Sequence, residues 1–241
     1  MTDLWLLPES AWDALAERLG GERLLTEEER ARYARMAVPR RRRQFLTGRL
    51  LCRYALSART GWPVHAWRFT TGPYGRPEPF PDHHGVRFSV AHTDGLAVCA
   101  VTRGRTCGVD VECGPASVES AGHVARFLAP AERAELAGLP ESERPARTRE
   151  LWVLKEAYLK ALGVGTHRSL DSFSFSPRTA PGITVTDPRQ AHPAGWWFRL
   201  LRPTPRHALA LAVHGGRPGR VRRTDLTDPA ALGEPAVPSH I

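Results

Sequence analysis

The same outline runs through this chain twice, with helix-patterned segments first and short strand-like segments after them. Thr26-Glu27-Glu28-Glu29 is a capping box opening a helix that reaches about Met36. Pro39 suits the first position of a second helix, roughly Arg40 to Thr60, with Phe45, Leu46, Leu50, Leu51 and Leu56 along one face. Strand composition follows at Val64–Thr70, Val86–Val90, Leu96–Thr102 and Cys107–Glu112. The second half predicts helices over Ser117–Leu128, from Pro130, and over Thr148–Leu162. Strands are expected at Ser172–Phe175, Ile183–Thr186, Trp196–Leu201 and Ala208–Val213. Twenty-one glycines and 21 prolines punctuate these elements and argue against a helical bundle. The pattern predicts an α+β chain of two similar halves, residues 1–105 and 106–214, with the junction near Gly104–Cys107. No residue-level repeat accompanies the outline. Residues 215–241, rich in Gly, Pro and Arg without periodicity, read as a loose tail.

Charge narrows the class of partner. Of 34 basic side chains only two are lysines, Lys155 and Lys160, both in one stretch of a predicted helix. From Ala31 to Pro77 there are 47 residues with 11 arginines and no Asp or Glu. A block of that kind calls for an anion nearby, whether nucleic acid, an acidic protein or a phosphorylated small molecule. No apolar run approaches a membrane span, and Met1–Trp12 carries Asp3 and Glu9 instead of a basic leader. Cys52, Cys99, Cys107 and Cys113 form no CxxC pair and read as reduced core thiols, so a soluble cytoplasmic protein is expected.

Four segments could carry chemistry. In Gly108-Val109-Asp110-Val111-Glu112, a strand would turn Asp110 and Glu112 to one face and the valines to the other. Adjacent carboxylates suit a hard cation such as Mg²⁺, although a strand end with two solvated acids has the same pattern. In Trp152-Val153-Leu154-Lys155-Glu156-Ala157-Tyr158-Leu159-Lys160, Glu156 and Lys160 stand at i,i+4 on one helical face. That is either a surface ion pair or a carboxylate with a point-charge phosphate ligand, and the scarcity of lysine favours the second. His92 ends the strand in Phe88-Ser89-Val90-Ala91-His92-Thr93. The helix beginning with Arg40-Arg41-Arg42-Arg43 and continuing to Arg49 and Arg53 is a solvated face or an anion-binding one. GxxxxGK[ST], GxSxG and GxGxxG are all absent.

Read in order, YGRP, FSVAHT, GVDVE and WVLKEAYLKALG resemble the surfactin-synthetase-activating type of 4′-phosphopantetheinyl transferase, from about Thr26 to Phe175. The resemblance implies two pseudo-symmetric α+β halves with the active site in the cleft between them. It also implies transfer of the phosphopantetheine arm of coenzyme A to a serine of an apo acyl or peptidyl carrier protein, by a monomer. By the same resemblance Asp110, Glu112 and Glu156 match the Mg²⁺ acids, and Glu156 is placed to take the serine proton. His92 matches a coenzyme A phosphate contact, and Lys160 the pyrophosphate ligand. Gly75-Arg76-Pro77 matches the segment bordering the adenine, with Arg40, Arg43 and Arg49 toward the 3′-phosphate. Ala91 departs from the family's usual serine before the histidine, which removes one hydroxyl. The rival expectation is a basic, non-enzymatic nucleic-acid-binding protein using Arg32–Arg59.

Overall fold

The computed structural model describes residues 1–82, 85–114, 118–190, 195–215 and 220–228. The chain is a mixed α+β fold in two compact units. Unit 1 comprises Met1–Thr71, Pro77–Gly104 and the described part of Gly219–Ile241. Unit 2 comprises Gly72–Arg76 and Arg105–Pro218. No described helix is long and apolar enough to cross a membrane.

Unit 1 is a four-stranded sheet with one long helix on it. Its strands are β1 (Thr2–Pro8), β4 (Val86–Thr93), β5 (Leu96–Arg103) and β11 (Val221–Asp225), in the order β11-β1-β5-β4. β2 (Arg68–Thr71) and β3 (Pro77–Phe80) form a separate hairpin. The helices are α1 (Trp12–Leu19), α2 (Glu27–Ala34) and α3 (Pro39–Thr60). Leu50, Leu51, Tyr54 and Ala55 of α3 share a core with Trp5, Trp12, Phe88 and Cys99. The capping box forms as its sequence predicts: Glu29 N donates to Thr26 Oγ1 at 3.2 Å, and Thr26 N to Glu29 Oε2 at 3.0 Å. Pro39 begins α3.

Two expectations are corrected here. The tail is not loose throughout, because Val221–Asp225 lies parallel to β1, and Leu226 is fully buried in the core. The segment reads as polar because an edge strand keeps exposed side chains; Arg222 reaches Asp3 at 2.7 Å. Val64–Thr70 is not one strand: Pro63 accepts from Ala66 N at 3.0 Å, making a turn before β2. Ser117, the first residue of the helix predicted over Ser117–Leu128, and residues 216–219 and 229–241 of the tail lie outside the described residues.

In unit 2, β6 (Cys107–Cys113), β9 (Trp196–Leu201) and β10 (His207–His214) form an antiparallel sheet in the order β6-β10-β9. β7 (Ser174–Phe175) and β8 (Val185–Thr186) make a small hairpin. The helices are α4 (Val118–Ala125), α5 (Pro130–Gly138) and α6 (Arg144–Leu162). Along β10, Ala208, Ala210 and Ala212 join the core built on Leu151, Leu154, Ala157, Tyr158 and Ala161 of α6. Their register partners are Glu112, Asp110 and Gly108. Directly opposed residues share a face, so this row of β6 faces α6 as well. The contact is close: a Cβ on Gly108 would lie 1.9 Å from the carbonyl oxygen of Ala157 and 2.5 Å from Ala161 N.

Lys155 is a structural residue. Its side chain is fully buried, and Nζ lies 2.7 Å from the carbonyl oxygens of both Leu170 and Phe173 and 2.9 Å from Glu132 Oε2. Nζ also sits 4.2 Å from the centre of the Phe173 ring. Glu132 is 1% exposed and accepts from Ala129 N at 2.9 Å and Phe175 N at 2.9 Å. Burial pulls the Lys155 ammonium below its usual value, and Glu132 opposes that pull. Removing one partner of such a pair strands the other charge. Lys155→Ala is therefore expected to cost about 3–5 kcal/mol in denaturant unfolding. Lys155→Met combined with Glu132→Gln should recover much of that loss, and additive losses in the double variant would contradict the pairing.

Candidate active site

Two elements of unit 2 bring four of the predicted residues together. β6 supplies Asp110 and Glu112, and α6 supplies Glu156 and Lys160. Lys160 Nζ donates to Asp110 Oδ1 at 2.7 Å. Asp110 is only 6% exposed, and its second oxygen, Oδ2, is buried without a hydrogen-bond partner. Burial raises the Asp110 carboxyl above its usual range, against the lowering effect of Lys160. Burial also raises Glu156, and the nearby negative charge of Asp110 raises it further.

Among the described residues, no three His, Cys, Asp or Glu side chains are drawn together as a finished metal cage. The donors themselves nevertheless suit a hard divalent cation. A buried carboxylate oxygen without a partner, as at Asp110 Oδ2, is costly, and a cation would relieve it. Glu112 is half-buried and borders an apolar pocket of about 250 Å³ shared with Cys113, Val124 and Trp152.

The predicted phosphate contacts divide into two groups. In unit 1 Arg40, Arg41, Gln44 and Phe45 of α3 line an open cleft of about 480 Å³ with Arg32 and His92. His92 is exposed at the end of β4, opposite Ala97. Arg40 also forms an ion pair with Asp94. Arg43 turns toward α1 instead, meeting Glu9 at 3.0 Å and Asp13 at 2.9 Å. Arg49 and Arg53 both pair with Glu29, at 3.4 and 2.6 Å, and Arg59 with Asp3 at 3.0 Å. The acid-free block therefore does not depend on an external anion as a whole. Acids from other segments neutralise much of it, and Arg40, Arg41 and Arg32 remain on the cleft. Arg41, Gln44 and Phe45 were recoverable from helical spacing, since residues one, four and five after Arg40 fall on adjacent rows of one helix.

Gly75, Arg76 and Pro77 occupy the turn leading into β3. Gly75 N donates to the Gly72 carbonyl at 2.9 Å, and Gly75 adopts φ +85°, a conformation glycine takes without strain. Arg76 Nη1 donates to the carbonyl oxygens of Lys160 and Ala161, at 2.8 and 2.7 Å.

Comparison with known proteins adds an independent line. The family model described as the 4′-phosphopantetheinyl transferase N-terminal domain matches residues 27–102, and that of the 4′-phosphopantetheinyl transferase superfamily matches residues 106–213. The 4′-phosphopantetheinyl transferase HetI of Nostoc sp. is 30% identical over 216 residues, covering 88% of this chain and 87% of the relative. The 4′-phosphopantetheinyl transferase Sfp of Bacillus subtilis is 30% identical over 205 residues, covering 80% and 88% respectively. A phosphopantetheinyl transferase of Thraustochytrium sp. is 28% identical over 226 residues, covering 88% and 78%.

The raised carboxyls make a prediction about pH. Asp110 and Glu156 bind protons more tightly in the folded chain than in the unfolded one. Their contribution to stability is therefore complete below the ordinary carboxylate range and is lost as pH rises through the raised folded values. In the presence of a chelator, Asp110→Asn should gain stability relative to the parent chain as pH rises above the ordinary carboxylate range. Melting curves checking this at several pH values would contradict the account if the two proteins ran parallel.

Proposed function

Because the chain belongs to the 4′-phosphopantetheinyl transferase superfamily, we propose that it transfers the 4′-phosphopantetheine arm of coenzyme A to a serine of an apo acyl or peptidyl carrier protein. The observation that carries this reading is the pairing of β6 with α6. It brings Asp110, Glu112, Glu156 and Lys160 into one unit, with one Asp110 oxygen buried without a hydrogen-bond partner, where a cation would be favourable.

In this reaction the serine oxygen forms a bond to the β-phosphorus of coenzyme A. The bond from that phosphorus to the bridging oxygen breaks, and adenosine 3′,5′-bisphosphate leaves with the electron pair. Mg²⁺ held by Asp110, Glu112 and Glu156 would supply charge neutralisation on the diphosphate. Glu156, beside the metal, would take the serine proton directly or through a water. Lys160 offers a compact ammonium to the diphosphate oxygens, which become more negative as the bond breaks. Asp110 holds that ammonium in reach.

The nucleotide end of coenzyme A is assigned to the unit 1 cleft, with His92, Arg40 and Arg41 as phosphate ligands. Helix chemistry supports this. α3 has no side-chain cap and no acid in its first turn, yet carries arginines at its positive end. Each such charge is unfavourable by about 0.3–1 kcal/mol unless an anion offsets it. Arg43 and Arg49, tied to Glu9, Asp13 and Glu29, are assigned to holding α3 in place. The Gly75–Pro77 backbone is kept as the border of the adenine. Carrier proteins of acidic character would be steered by the exposed arginines. Action as a monomer in the cytoplasm is part of the same proposal.

The test is intact mass spectrometry of several apo-carriers incubated with the protein, coenzyme A and Mg²⁺. A carrier is expected to gain the mass of the arm, and Glu156→Gln should slow that gain by at least about 100-fold with the fold intact. Unchanged carriers across the panel, or near-parental rates for Glu156→Gln, would overturn the reading.

A further inference from the structure

One arginine binds both elements of the site at once without belonging to either. Helix α6 ends in a Schellman arrangement: Gly163, at φ +73°, donates from its N–H to the Lys160 carbonyl at 3.2 Å, and Val164 N to the Leu159 carbonyl at 3.3 Å. That leaves the Ala161 carbonyl among the helix-end acceptors that need an outside donor. Arg76 meets it, with Nη1 2.7 Å from the Ala161 oxygen and 2.8 Å from the Lys160 oxygen. Its other terminal nitrogen, Nη2, donates to the carbonyl oxygen of Cys107 at 3.3 Å. Cys107 is the first residue of β6, three before Asp110.

The surroundings are built for this side chain. Gly163 packs against it so closely that a Cβ there would lie 3.2 Å from Arg76 Cδ. The turn presenting Arg76 is closed by Gly72 N donating to the Arg76 carbonyl at 2.8 Å. It is also seated by Tyr74, whose ring lies 5.0 Å from that of His167 beyond the helix end. A cation at the helix C-terminus is favourable in its own right.

We propose that Arg76 is a positioning residue: it staples the last turn of α6 to the start of β6, and so fixes Lys160 and the helix carboxylate against the strand carboxylates. This rests on the transferase reading and changes the part Arg76 plays within it. The family resemblance sets this segment beside the adenine. The guanidinium is directed instead to the backbone that carries Lys160, whose carbonyl Arg76 holds while its ammonium reaches Asp110. A lysine here would offer one nitrogen where the guanidinium offers two, Nη1 to the helix end and Nη2 to Cys107.

The experiment separates binding from turnover in Arg76→Ala and Arg76→Lys. Coenzyme A affinity is measured by calorimetry without carrier, kcat by carrier mass, and the amides of Gly163 and Val164 by hydrogen exchange. Arg76→Ala is expected to lower kcat about 10- to 100-fold. It should leave the coenzyme A Kd within about threefold of the parent and should speed exchange at both amides. Arg76→Lys should recover only part of the rate. Weakening of coenzyme A binding by about tenfold with kcat preserved would overturn the proposal. So would unchanged exchange at Gly163 and Val164, which also decides the matter for a variant of reduced stability. Failure of the parent protein to modify any carrier would sink the transferase reading instead. The exchange result would then judge the staple alone.

Discussion

The contact on which the site depends is the close approach of α6 to β6. Gly108 and the alanine row of β10 let the helix backbone come down onto the strand, to a distance that a single methyl group at 108 would block. Only at that separation does the ammonium of Lys160 reach a strand carboxylate at 2.7 Å, and only then does Asp110 act on Glu156. A buried carboxylate with a partly buried carboxylate and ammonium beside it is unfavourable for folding on its own account. The surrounding core, from Leu151 and Tyr158 to Phe198, offsets that cost and keeps the arrangement in place.

Charge in this chain is arranged by shape as much as by sign. Arginine is used where a flat fork can reach two acceptors, as with Arg43 on Glu9 and Asp13, or Arg76 on successive carbonyls. The two lysines stand where a fork does not fit. Lys155 occupies a closed site in which three oxygens and a ring surround one nitrogen. Lys160 presents a single ammonium to one carboxylate oxygen. A compact charge fits the closed site at Lys155, and the role proposed for Lys160 on the diphosphate asks for the same.

Much of this was legible beforehand because the strongest signals were local. The capping box, Pro39, the alternation in Gly108–Glu112 and the i,i+4 spacing of Glu156 and Lys160 each depend on neighbours in the chain. What escaped was set by partners far apart in sequence. β11 is an edge strand whose polar side chains hide its role until β1 lies beside it. The acid-free block suggested an external anion, but Glu9, Asp13, Glu29 and Asp3 come from other elements to meet its arginines. Lys155 stands next to Glu156 in the sequence, yet a helix turns adjacent residues to different sides. Its true partner, Glu132, lies 23 positions earlier on α5.

The central claim is that β6 and α6 together hold a divalent cation at Asp110, Glu112 and Glu156. The most direct measurement is the position of Mn²⁺, located by anomalous scattering in crystals grown with coenzyme A. The account predicts a single strong peak with carboxylate oxygens of these residues at about 2.1 Å. A metal bound away from Asp110, or full coenzyme A occupancy with Lys160 still on Asp110 and no metal peak between β6 and α6, would contradict it.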